Sequence, residues 1–152
     1  MKENPLNAIG SVFKTSSSNL NYPKIIEKLF TAKSIEDCEK FLRSNGFEIL
    51  EPSKGSDLLA QKQISEGYIE IEMSAGLLGM LKIDFPKSYG NKHMPEILDD
   101  FVDYGYGVVS KGDVFGTGKS TTSFTIREKD GIIGQFVMVA EDGIMVMRGA
   151  GN

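Results

Sequence analysis

The sequence predicts an α+β fold, with antiparallel strands in one or more sheets and about three helices covering one face. Three observations lead there. Residues 23–32, 34–44 and 95–104 repeat apolar side chains every three or four positions, as helices with one buried side do. "YIEIEM" at 68–73 alternates as a strand with one wet face does. The last three apolar stretches are joined through "KDG" and "EDG", which suit tight antiparallel hairpins.

Taken in order, residues 1–22 read as an N-terminal arm, because "KTSSSNLNYP" is polar and rich in turn formers. Ahead of it, Leu6, Ile9, Val12 and Phe13 fall at roughly helical spacing and suit a short amphipathic segment that docks on a partner or a membrane face, although Gly10 weakens a helix there. Residues 23–152 form a single α+β domain. Pro23 opens the first helix, whose apolar side is Ile25, Ile26, Leu29 and Phe30. Ser34 is the natural N-cap of the second helix, with acids in its first turn and "NG" at 45–46 as its stop. Its buried stripe is Ile35, Cys38, Phe41 and Leu42.

"FEIL", "LLAQKQI", "YIEIEM" and "LLGMLKIDF" follow as strands, closed by Pro86. "KSYGNKH" reads as a loop, and Pro95 as the start of a third helix that Gly105 ends. "YGVV", "SFTIRE", "IIGQFVMVA" and "IMVMRG" complete the strands. The two halves, 34–86 and 93–149, therefore share an element order, with Phe41 and Phe101, and Gly46 and Gly105, in matching places. Duplication and chance repetition both account for this.

Composition bounds the function classes. A chain of 152 residues can bury roughly 70% of its unfolded surface and needs no disulfide or metal to fold. The net charge of −4 argues against a nucleic-acid binder. Up to Lys33, however, the chain is basic, with five lysines against Glu3 and Glu27. Cys38 is the only cysteine, so no internal disulfide forms, and its place on an apolar stripe makes it a core residue. No signal peptide or membrane span is visible, and the expected compartment is the cytoplasm; a signal removed before numbering would leave the same sequence.

"GDVFGTGKST" at 112–121 ends like a phosphate-binding P-loop. In a P-loop the first glycine stands five residues before the second, which here is position 113, an aspartate. The motif also needs a helix immediately afterwards, with its N-terminus aimed at the anion. "TTSFTIRE" is β-branched and alternating, and continues as a strand. What survives is a glycine-flanked loop whose amides and hydroxyls, with a lysine, can cup an anion. The residues of that reading are Lys111, Gly116, Thr117, Gly118, Lys119 and Ser120. The competing reading is a hairpin turn whose glycines supply positive φ.

No catalytic residue, cofactor or metal ligand set is marked. The single histidine, His93, has no CxxC or HxxxH partner and reads as a loop or capping residue. Glu96, Asp99, Asp100 and Asp103 read as the wet side of the third helix.

The strongest functional signal is hydrophobic. "IIGQFVMVA" and "IMVMRG" are apolar at nearly every position, so both faces of those strands call for burial, while three helices cover only one. A second sheet layer is the simplest cover; a subunit partner or the N-terminal segment is the alternative. The expected function is a non-enzymatic protein-interaction module, adaptor-like or inhibitor-like or homodimeric. Its interaction surface is Ile133, Phe136, Met138, Met145 and Met147. The alternative is a binder of, or enzyme on, a small anionic or phosphorylated ligand at the "GTGKST" loop.

Overall fold

The computed structural model describes residues 20–74, 79–113, 118–126 and 134–148. Helices α1 (Tyr22–Thr31) and α2 (Ile35–Ser44) lead into strands β1 (Glu48–Leu50), β2 (Leu58–Ile64), β3 (Gly67–Ser74) and β4 (Met80–Asp84). Helix α3 (Lys87–Tyr104) then leads into β5 (Gly107–Gly112), β6 (Thr121–Ile126), β7 (Gln135–Ala140) and β8 (Gly143–Arg148). All eight strands form one antiparallel sheet in the order β1-β2-β3-β4-β8-β7-β6-β5. Each half is thus a helix followed by a four-stranded meander, and the two last strands, β4 and β8, pair with each other to join the halves.

The helix ends are set by their caps. Asn21 accepts from the Lys24 amide at 3.1 Å and Ser34 from the Asp37 amide at 3.1 Å, each satisfying a donor that the first turn leaves free. At their C-termini α2 and α3 end alike. The Phe47 amide bonds back to Leu42 O at 3.0 Å, and the Tyr106 amide to Phe101 O at 3.0 Å. In each case the intervening glycine takes positive φ, 88° at Gly46 and 124° at Gly105. The matching residues are therefore Leu42 with Phe101 and Phe47 with Tyr106, all buried. Phe41, the sequence-based partner of Phe101, lies one position away and is only partly buried.

Helix α3 begins eight residues earlier than its sequence predicts. "KSYGNKH" is helical, and Pro95 stands inside the helix. Proline there removes one backbone donor, but tertiary packing outweighs that loss. Tyr89 is buried and its hydroxyl is 2.8 Å from that of Tyr22, which ties α3 to α1. Gly90 packs so closely on the β7–β8 turn that a Cβ would stand 1.8 Å from Glu141 O.

One alternate set of strand residues packs under the helices: Leu58 and Ala60, Ile69 and Ile71, Leu81 and Ile83, Ile144 and Val146, Val137 and Val139, with Phe124 stacked on Phe101 at 5.2 Å. At the junction, Gly143 lets β8 approach β4, since a Cβ there would be 2.4 Å from Ile83 O. Cys38, 3% exposed, sits in the same core, and burial pushes its thiol pKa up. Among the described residues there is one sheet, and the expected second sheet layer is not found. No helix among them is long and apolar enough to cross a membrane.

Candidate functional site: the open face of the sheet

Successive strand residues point to opposite faces. With Val137, Val139, Ile144 and Val146 under the helices, Phe136, Met138, Met145 and Met147 project from the other side. Register brings them together. Phe136 pairs with Met147, and Met147 with Met80. In the next row Met138 pairs with Met145, and Met145 with Lys82. Four methionines and a phenylalanine thus form one apolar band across β7, β8 and β4. Met80 is 39% exposed, and the other four are partly exposed.

The band is flanked by unlike borders. On the β6 side stand Thr121, Ser123 and Thr125, paired with Ala140, Met138 and Phe136. Thr121 and Ser123 are only 8% and 1% exposed, and the Ser123 hydroxyl has no hydrogen-bond partner among the described residues. On the β3 side stand Glu70 and Glu72, paired with Asp84 and Lys82. Glu72 accepts from the Ser56 hydroxyl. Lys82 Nζ lies 3.8 Å from Asp84 Oδ2. Burial raises the Asp84 pKa; Lys82 opposes the shift, and Asp142 and Glu72 add to it.

At the end of the band a cleft of about 400 Å³ opens beside the β7–β8 turn, with Met138, Ala140 and Met145 along its floor and Lys82, Asp84, Lys119 and Asp142 around it. Lys119 donates to Asp142 Oδ2 at 2.7 Å, a hydrogen bond that raises the lysine pKa. The cleft therefore joins apolar surface to two cations and two carboxylates, each cation already close to a carboxylate.

This geometry separates the residues of the anion reading. Lys119 lines the cleft, but an anion would have to displace Asp142 from it. The Gly118 amide donates to Asp113 Oδ2 at 2.6 Å, so it too is engaged by a carboxylate. Gly118 itself has φ 81°, as a turn requires. Lys111 pairs with Thr122, and Thr122 with Val139, which places it on the helix-covered side, away from Lys119. Ser120 is exposed; Gly116, Thr117 and Ile133 lie outside the described residues.

His93 is on the helical side as well. It sits within α3, not in a loop, with its ring 4.6 Å from that of Tyr89 and Nδ1 3.3 Å from Glu96 Oε1. Burial raises the Asp100 pKa, and the neighbouring acids Glu96, Asp103 and Asp99 raise it further. Among the described residues no group of His, Cys, Asp and Glu is placed to hold a metal ion.

Met80, Lys82, Asp84 and Asp142 escaped the sequence reading of the surface. Met80, Lys82 and Asp84 join it only through the β4–β8 pairing, which spans residues about sixty positions apart, while Asp142 stands in the β7–β8 turn. Comparison with protein-family models, with curated proteins and with solved structures finds no match.

Proposed function

We propose that the chain is a non-enzymatic binding module whose open sheet face takes a segment of another polypeptide. The observation that carries this reading is the apolar band of Phe136, Met138, Met145, Met147 and Met80. Folding alone does not require it, since β2 and β3 keep the same face largely polar. Methionine suits the role because its unbranched, polarisable side chain repacks around differing partners. An apolar centre with a polar and charged rim is also the usual layout of a recognition surface. The fitting partner presents apolar side chains to the band and basic ones to Glu70, Glu72 and Asp84.

A random-peptide library displayed on phage and selected against the full chain tests the reading. Enriched sequences should combine apolar residues with Lys or Arg and bind at least about tenfold more weakly to Met145→Glu, about 1.4 kcal/mol. Met145 is partly exposed, so that variant should keep the wild-type circular dichroism spectrum. No enrichment, or binding indifferent to Met138→Glu and Met145→Glu, overturns the reading. A dimer that Met145→Glu dissociates, seen by sedimentation, makes the partner a second copy of the chain.

A further inference from the structure

We infer that one ligand of the open face is carried by the chain itself, in residues 6–14. The inference rests on the reading of that face as a docking surface. Three observations converge on this occupant.

The first is chemical. Residues 1–19 lie outside the described part of the chain, and their sequence combines Leu6, Ile9, Val12 and Phe13 with Lys14. With Lys2 and Lys14 against Glu3, two minus one, the segment is net positive by one charge. The β3–β4 border of the open face carries Glu70, Glu72 and Asp84 against Lys82, three minus one, a net negative of two. Asp142 and Lys119 cancel each other. Apolar residues meet the band, and opposite charges meet at its border.

The second is the point of attachment. The described chain begins at Leu20, two residues before Tyr22. The Tyr22 ring lies 5.9 Å from that of Phe85, the residue after Asp84. The Phe85 amide in turn bonds to Asp142 O at 3.1 Å. The described chain therefore begins at the end of the sheet where the cleft opens, although on the helix-covered side.

The third is reach. An extended chain advances roughly 3.3 Å per residue, so the six residues from Lys14 to Leu20 span about 20 Å. The Asp84 row and the Met80 row are four positions apart on one strand, about 13 Å. Nine residues before that connection, 6–14, are enough to run from the Asp84 row to the Met80 row. Tethering supplies a high effective concentration, on the order of millimolar for a short flexible connection, so even weak intrinsic contacts fill the face. An external partner then binds by displacing the arm.

The chain's methionines supply the test. Met80, Met138, Met145 and Met147 report the open face, while Met73 and Met94 pack against the helix-side core. Methyl spectra of the full chain, labelled with carbon-13 at methionine, are compared with those of the quadruple variant Leu6→Ser, Ile9→Ser, Val12→Ser, Phe13→Ser. The four open-face methyls should move by several line widths, and those of Met73 and Met94 should stay in place. The pattern should persist on dilution, as an intramolecular contact requires. Library-selected peptides should bind the variant about tenfold more tightly than wild type, the change expected where the arm holds the face nine-tenths of the time.

Unmoved open-face methyls overturn the inference. If selected peptides still bind the face, the docking reading stands without the arm; if they do not, both fall. A shift that vanishes on dilution places the arm on a second copy and overturns the intramolecular contact alone.

Discussion

The two halves of the sheet use one plan and finish it differently. On the side under the helices, β2–β4 and β6–β8 are alike, with Leu, Ile, Val, Ala and Phe packed beneath α1, α2 and α3. On the open side they diverge. Strands β2 and β3 present Gln61, Gln63, Tyr68, Glu70 and Glu72 with one leucine, Leu59, whereas β7 and β8 present Phe136, Met138, Met145 and Met147. The common side shows what a meander needs in order to fold against helices. The divergent side is under no such demand from the helices, so its apolar residues are not explained by helix packing. It is this contrast, largely polar outside in one half and apolar outside in the other, that the proposed binding role rests on.

The largest expected effect breaks the comparison where the halves are least alike. Only α3 carries an N-terminal extension locked onto the β7–β8 turn, and Gly90→Ala would drive a Cβ into Glu141 O. The turn and helix must part, at an expected cost of at least about 3 kcal/mol, read as a lower urea midpoint. Next come the matched anchors Leu42 and Phe101. Leu42→Ala should cost about 2–5 kcal/mol and Phe101→Ala about 3–5 kcal/mol. Because β4 and β8 share a ladder, each should lower one cooperative transition; two separated transitions would show that the halves unfold independently.

The paired glycine stops refine the likeness. Gly46→Ala and Gly105→Ala should each cost about 1–2 kcal/mol, since both backbones have positive φ. Gly105 should cost more, because its φ of 124° lies further from the left-handed helical region that other residues reach. Thermal midpoints check the order.

The smallest effect concerns the acidic border. With its pKa raised by burial above the ordinary 3.8, Asp84 binds a proton more readily folded than unfolded. Stability therefore falls as pH rises from 3.8 through the higher folded value. Asp84→Asn removes that penalty, so it should slightly raise the urea midpoint at neutral pH and leave it unchanged below pH 3.8. An equal gain at both pH values would assign the effect to something other than ionisation.

Local chemistry made much of this fold readable. Ser34 before an acidic turn, glycines after Asn45 and Tyr104, and the "EDG" turn each act within a few residues, and each stands where the sequence puts it. The start of α3 was not readable, because the forces that keep "KSYGNKH" helical past Pro95 come from Tyr22 and Glu141, far away in sequence. The site divides in the same way. The excess of apolar residues in β7 and β8 is visible in one dimension. Their alignment with Met80 and Lys82 depends on a strand pairing that no local pattern encodes. Lys119 looked available as a cation until the fold brought Asp142 to it.

The strand that joins the halves also has a temporal consequence. β4 pairs on one side with β3 but must wait for β8 on the other, and β8 is synthesised about sixty residues later. At ribosomal speeds of roughly 5–20 residues per second, that edge stays unpaired for about 3–12 s. Through that interval Leu81 and Ile83 sit on an open ladder, the kind of template that recruits another nascent chain. Lys82 between them, and Asp84 beside them, place charge on the waiting strand. In the newborn chain these residues guard against mispairing, before they border the finished surface.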